Sequence, residues 1–103
     1  MIHDVELREL QVNADDRGSL TELWRSDWAF YEGTDEPAMS YVSVTYPGVV
    51  RAWHRHRRGQ IDHFVVPDGR IKVGIYDDRE GSPTRGELDT YVIGEGNMQL
   101  LRV

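Results

Sequence analysis

Two histidines stand two residues apart in a segment that otherwise has the composition of a β-strand. His54 and His56 follow the Pro47-Gly48 turn, and in a strand residues i and i+2 project from the same face. A third histidine, His63, follows seven residues later. An imidazole titrates near neutral pH and is also a common metal ligand. The pattern therefore predicts a site for proton transfer or, alternatively, for a metal ion.

The same segment concentrates positive charge on an acidic chain. Four of the eleven arginines lie there, namely Arg51, Arg55, Arg57 and Arg58. The net charge of the whole chain is −6, which disfavours general nucleic-acid binding. A guanidinium can hold a phosphate through two parallel hydrogen bonds. The cluster thus predicts a site for a small anion such as a diphosphate, unless it is only a solvated strand end.

Size and composition predict one small globular domain over residues 1–103. The chain is 39% hydrophobic and 29% charged. It contains no apolar run of membrane-spanning length. Its N-terminal segment does not combine a basic start with an apolar stretch, as a secretory signal peptide does, so we expect a cytoplasmic protein. It has no cysteine, which excludes disulfides and thiolate metal sites.

Short strand signals separated by turn residues recur along the chain, with little sign of helix. We predict strands over 5–12, 19–24, 39–46, 49–56, 62–66, 71–76, 88–93 and 98–103. Residues 25–38 are predicted to form an irregular loop. This spacing predicts an all-β sandwich or barrel. The last predicted strand is apolar and would leave a sheet edge, to be covered by a partner subunit or by further chain.

The spacing of Gly48, His54-x-His56, Gln60 and Gly69 resembles the first motif of the cupins. Cupins are small β-barrels of the jelly-roll type, also called double-stranded β-helices. In metal-binding cupins the two histidines and a glutamate ligate a divalent metal. Gln60 stands at the glutamate position here, and the second cupin motif with its further histidine is absent. The resemblance implies an all-β cupin barrel.

A narrower resemblance comes from three segments in a fixed order. They are similar to segments of dTDP-4-dehydrorhamnose 3,5-epimerases and cover roughly residues 15 to 90, namely 15–22, 48–54 and 77–84. The resemblance implies a homodimeric enzyme without a metal or other cofactor. Its substrate would be a nucleotide-linked 4-keto-6-deoxy sugar, in which the ketone acidifies the protons on C3 and C5. A general base removes such a proton, an enolate forms, and a proton returns to the other face.

The resemblance also implies roles for individual residues. His54 matches the catalytic base, and Asp77 matches a carboxylate of the same pocket that can fix the tautomer of the histidine. Arg51 matches a substrate-binding arginine. Arg17 and Glu22 match residues that reach the nucleotide, often in the neighbouring subunit. Without the resemblance, Asp77 would equally fit a residue that caps the turn at the start of its loop.

Two positions depart from the epimerase pattern. Asp62 stands where the family carries a lysine that supports the enolate, and His56 stands where the epimerases usually carry a glutamine. We expect both to lie at the substrate site, with His63 or Arg51 supplying the lost positive charge.

The catalytic tyrosine of the family lies in a C-terminal part outside these residues. The His-x-His pattern resembles a sister group, the sugar-nucleotide 3,4-ketoisomerases, which gives the runner-up activity.

Two other functions are consistent with the sequence. The first is a metal-binding cupin with one divalent ion, whose ligands would be His54, His56, Gln60 and His63. The second is a non-catalytic module that binds a nucleotide sugar through its arginines.

Overall fold

The computed structural model describes residues 1–28, 37–56 and 59–103, and its regular structure is entirely β. The strands are β1 (Glu6–Glu9), β2 (Val12–Asp15), β3 (Gly18–Thr21), β4 (His63–Phe64), β5 (Arg70–Tyr76), β6 (Leu88–Gly94) and β7 (Gln99–Arg102). The prediction of an all-β chain is confirmed for these residues. Part of the predicted loop, residues 29–36, and the arginines at 57 and 58 lie outside the described residues.

Within the described ranges, no helix is long and apolar enough to cross a membrane.

The last strand is the centre of the main sheet. Strand β7 lies between β1 and β4 and is antiparallel to both. Successive side chains of a strand point to opposite faces, so Leu100 and Leu101 enter two different apolar clusters. Both are fully buried. The expectation that this strand leaves an open edge is wrong, because β1 and β4 of the same chain cover both of its sides.

The larger of the two apolar clusters joins the chain's beginning to its end. Its buried members are Ile2, Val5, Ile75, Ile93 and Leu101. Tyr91 packs at its margin and donates a hydrogen bond to Asp89 Oδ2 at 3.1 Å. Burial first, and then this bond to a carboxylate, raise the pKa of the Tyr91 hydroxyl to about 12. The same Asp89 oxygen accepts a hydrogen bond from the Ile2 backbone N–H at 2.8 Å, so the β5–β6 hairpin is fixed to the N-terminus by both apolar and polar contacts.

Two hairpins extend from this core. Strands β5 and β6 pair from Arg70↔Gly94 to Tyr76↔Leu88, so the loop over 77–87 begins at the end of the ladder. Strands β2 and β3 pair around the turn between Asp15 and Gly18, where the sequence predicts one. Among the described strands, β2 and β3 contact only each other, and their residues are almost all exposed.

Residues 39–46 and 49–56 are not strands in this structure, so both predictions are wrong here. The alternation of side chains over 39–46 does predict a pleated segment, but a strand also needs a neighbour to complete its hydrogen bonds. In place of a ladder, Arg51 donates to the Thr45 hydroxyl at 3.0 Å and to the Val44 carbonyl at 2.8 Å. Most large apolar side chains of this stretch are exposed.

Candidate functional site

The loop over 77–87 is organised around one buried carboxylate. Asp77 follows β5 directly and is 3% exposed. Its Oδ1 accepts hydrogen bonds from the Arg79 backbone N–H and from Arg79 Nε, and its Oδ2 accepts from Arg79 NH2, Ser82 Oγ and Thr84 Oγ1. The Ser82-Pro83-Thr84 motif therefore supplies two hydroxyls to one oxygen. Five donors saturate the lone pairs of this carboxylate.

These contacts set the charge state of the site. The hydrogen bonds from Arg79, and then those from Ser82 and Thr84, hold the pKa of Asp77 well below its usual range despite the opposing effect of burial. Asp77 in turn raises the pKa of Arg79. Near neutral pH both members of the pair are therefore ionised, Asp77 as a carboxylate and Arg79 as a guanidinium.

The N-terminus is clamped onto this loop. Arg79 reaches the His3 carbonyl at 2.9 Å and Asp4 Oδ2 at 3.1 Å. The His3 backbone N–H donates to Thr84 Oγ1, and that of Ile2 donates to Asp89 Oδ2. The sequence contains no local signal for this clamp, since it joins residues about 80 positions apart. The structure thus supports the turn-capping role of Asp77. The other predicted role, that the Asp77 carboxylate fixes the tautomer of His54, stays a prediction.

His56 and Asp62, the two departures from the epimerase pattern, are in direct contact. His56 Nε2 lies 2.8 Å from Asp62 Oδ2, and both side chains are about three-quarters buried. The second oxygen, Oδ1, accepts a hydrogen bond from Gln60 Nε2 at 2.8 Å. The carboxylate is therefore held from two sides and fixes the orientation of the imidazole.

The segment that carries the histidines lies against β5 and the 77–87 loop. A Cβ at Gly74 would lie 3.7 Å from Cη2 of Trp53, so the indole ring rests on this strand. Arg55 Nε forms an ion pair with Asp78 Oδ2 at 3.1 Å. These two contacts place His54 and His56 beside the end of β5.

A cavity of about 530 Å³ opens where this segment meets the loop. Its lining combines three cations, two carboxylates and one imidazole, namely Arg55, Arg79, Arg85, Asp78, Glu80 and His56. A larger cavity of about 690 Å³ between β1 and the 95–99 turn contains none of the predicted site residues. We therefore locate the candidate site at the smaller, more basic cavity.

The other predicted residues fall into two groups. His54 is exposed and precedes the cavity-lining residues Arg55 and His56. Arg51 is also exposed and is engaged by Val44 and Thr45. His63 is half-buried in β4, opposite Arg102 of β7. The roles assigned to these residues stay predictions.

Arg17 and Glu22 lie on the β2–β3 hairpin or just beyond it. Arg17 pairs with Asp15 at 2.6 Å, and Glu22 pairs with Arg25 at 3.3 Å. Neither Arg17 nor Glu22 lines the cavity. Their contact with the nucleotide stays a prediction.

Across residues 1–28, 37–56 and 59–103, no group of three or more His, Cys, Asp or Glu side chains is placed to hold a metal ion. Gln60 and His56, two of the alternative ligands, are both directed at Asp62. The predicted absence of a cofactor stays a prediction.

Comparison with known proteins gives a consistent result over the whole length. Residues 1–103 match the family model described as dTDP-4-dehydrorhamnose 3,5-epimerase. The chain is 72% identical over 102 residues to the probable low-salt glycan biosynthesis epimerase Agl13 of Haloferax volcanii, covering 99% of this chain and 64% of that protein. It is 40% identical over 103 residues to the spore coat polysaccharide biosynthesis protein SpsL of Bacillus subtilis, covering 100% of this chain and 66% of that protein.

Two solved structures share the fold. A dTDP sugar isomerase from Desulfovibrio desulfuricans matches with a TM-score of 0.72 and 32% identity, over 99% of this chain and 63% of that one. A dTDP-4-dehydrorhamnose 3,5-epimerase from Bacillus anthracis, solved with TDP and PPi bound, matches with a TM-score of 0.70 and 24% identity, over 97% of this chain and 59% of that one. The predicted cupin-type β fold and the resemblance drawn from the three segments are confirmed. The chain spans slightly less than two-thirds of the length of each of these proteins.

Proposed function

Since the chain belongs to the dTDP-4-dehydrorhamnose 3,5-epimerase family, we propose that it epimerises a nucleotide-linked 4-keto-6-deoxy sugar by removing a proton next to the ketone. The observation that carries the proposal is that the family model matches residues 1–103. The resemblance of residues 48–54 assigns the catalytic base to His54. Two relatives named for glycan and polysaccharide biosynthesis support a sugar substrate.

His54 is the proposed base. Its imidazole takes the proton from the carbon beside the ketone, and the electron pair of the broken C–H bond moves onto the ketone oxygen. The exposed position of His54 leaves it open to a substrate that enters from the cavity side. Arg51 and two arginines of the cavity, Arg55 and Arg85, supply the positive charge that a nucleotide diphosphate requires. Arg79 is already engaged by Asp77, Asp4 and the His3 carbonyl.

The reaction is tested by hydrogen exchange. The protein is incubated in D₂O with dTDP-4-keto-6-deoxyglucose and EDTA, and the C3 and C5 protons are followed by NMR. Loss of either proton signal without added metal is the expected result. Exchange that requires a divalent metal would indicate the metal-binding cupin instead. Binding of the substrate without exchange would indicate a non-catalytic module.

We also propose that the protein is a homodimer, with the β2–β3 hairpin reaching the neighbouring subunit. This hairpin is exposed and contacts no other described strand. It carries Arg17 together with the exposed apolar residues Val12 and Leu20. Multi-angle light scattering after gel filtration should give about twice the chain mass of 11.9 kDa. A Leu20→Glu variant should shift the mass toward the monomer, and a monomeric wild-type protein would contradict the proposal. The cytoplasmic location predicted from the sequence stays a prediction.

A further inference from the structure

We propose that His56, positioned by Asp62, is a second general base beside His54, so that the site has one base for each of the two carbons that flank the ketone. This inference rests on the proposed function. It concerns a position at which the epimerases usually carry a glutamine rather than a histidine. It also rests on a contact, between His56 and Asp62, that the sequence alone does not show.

The first support is the geometry of the pair. Asp62 Oδ2 lies 2.8 Å from His56 Nε2, so this nitrogen carries the proton in the neutral ring and Nδ1 retains its lone pair. A carboxylate in this position holds an imidazole in one tautomer and stabilises the imidazolium that forms when the ring accepts a proton. Nδ1 is thereby the basic atom.

The second support is the way Asp62 itself is held. Gln60 donates to Asp62 Oδ1 at 2.8 Å, so both oxygens of the carboxylate are engaged by neighbours. An ordinary surface ion pair leaves its partners free to rotate, whereas this carboxylate is fixed from both sides. The arrangement is that of an oriented histidine, in which Gln60 and Asp62 are positioning residues.

The third support is the location. His56 lines the basic cavity, while Asp62 and Gln60 do not. The imidazole is thus the part of the cluster that faces the space available to a substrate. The cluster combines accessibility with orientation: the His56 side chain is 24% exposed, yet its Nε2 is fully occupied.

The chemistry at each carbon is the removal of one proton and the return of another. The C–H bond breaks, its proton moves to Nδ1 of His56, and the electron pair forms the enolate with the negative charge on the ketone oxygen. In D₂O the proton on Nδ1 exchanges with solvent. A deuteron then returns to carbon, the ketone re-forms, and the imidazole is neutral again. No oxidant, metal or other reactant is needed.

The test compares the two carbons within one substrate molecule. Exchange at C3 and at C5 is measured by NMR in D₂O for the wild-type protein and for the His56→Gln, His54→Gln and Asp62→Asn variants. His56→Gln should lower the rate at one carbon about 10²-fold more than at the other, because a general base contributes about that much. His54→Gln should have the opposite selectivity. Asp62→Asn should shift the ratio in the same direction as His56→Gln, by a smaller factor.

The ratio of the two rates separates this role from a structural one. Poor folding or weak binding lowers exchange at both carbons alike and leaves the ratio unchanged. The matched control is His3→Gln, because His3 also pairs with an aspartate, at 3.3 Å, but lies outside the cavity. It should leave both rates unchanged.

Several results would overturn the inference. The first is a His56→Gln variant whose ratio of C3 to C5 exchange rates equals that of the wild type. The second is an Asp62→Asn variant that leaves this ratio unchanged although His56→Gln alters it. A wild-type protein that exchanges only one carbon would overturn it as well. A wild-type protein that exchanges neither carbon would instead refute the proposed function, and the second base with it. The two failures are therefore distinguishable from the wild-type spectrum alone.

Discussion

Asp77→Asn is expected to lower the free energy of unfolding by about 3 kcal/mol. The substitution keeps the shape of the side chain but removes the charge that five hydrogen bonds converge on. The new amide group would face Arg79, Ser82 or Thr84 with its own donors, so at least one buried contact becomes donor against donor. Urea unfolding followed by tryptophan fluorescence measures the change.

The matched control is the next residue. Asp78 is also a carboxylate paired with an arginine, but its side chain is 46% exposed and its partner is Arg55. Asp78→Asn should change stability by less than about 1 kcal/mol, as is typical of exposed ion pairs. Equal losses in the two variants would show that burial of Asp77 has no special role.

The same carboxylate predicts how stability depends on pH. Because the pKa of Asp77 is depressed in the folded protein, its contribution to stability is fully present above about pH 5, which is one unit above the unfolded pKa of about 3.9. It is lost progressively as the pH falls below that toward the folded pKa. The stability difference between wild type and Asp77→Asn should therefore shrink between pH 7 and pH 3. Unfolding curves at a series of pH values test this, and a constant difference would contradict it.

His54→Gln is expected to reduce deuterium exchange at the carbon it serves by about 10²- to 10⁴-fold. Glutamine has a similar length and polarity but has no nitrogen that can accept a proton near neutral pH. Since His54 is exposed and forms no hydrogen bond or ion pair among the described residues, the fold should not depend on it. Exchange rates by NMR and unfolding curves are measured on the same sample.

In His54→Gln the rate of deuterium exchange should fall, whereas substrate binding and stability should stay as in the wild type. Saturation-transfer NMR should show the nucleotide sugar bound as well as in the wild type, and the unfolding midpoint should be unchanged. His3→Gln is the matched control and should retain full exchange. A His54→Gln protein that exchanges both protons at wild-type rates would remove His54 from the mechanism.

The overall class of the fold was predictable because it depends on local signals. Turn residues and alternating side chains marked the β5–β6 hairpin and the turn between β2 and β3, whose partners are close in the sequence. The predicted strand over 5–12 was wrong in its bounds, because β1 ends at Glu9 and β2 begins at Val12. The position of β7 was not predictable in this way. The residues of β1 and β4 that pair with it are about 93 and 38 positions away, and the alternation of a strand does not indicate which strands will pair with it. The same limit explains residues 39–46, which have the pattern of a strand but no paired neighbour in this structure.

For the site, the sequence by itself determined the family and the identity of the candidate groups. The His54-x-His56 spacing, the arginine cluster and the Asp77 loop are local patterns of residue types, and such patterns can be recognised in the sequence alone. Only the tertiary structure decided which groups meet. It saturated Asp77 with donors from its own loop, clamped the N-terminus to that loop, and joined His56 to Asp62. Hydrogen bonds act over about 3 Å, and the approach of their partners is set by packing of the whole chain rather than by separation along it.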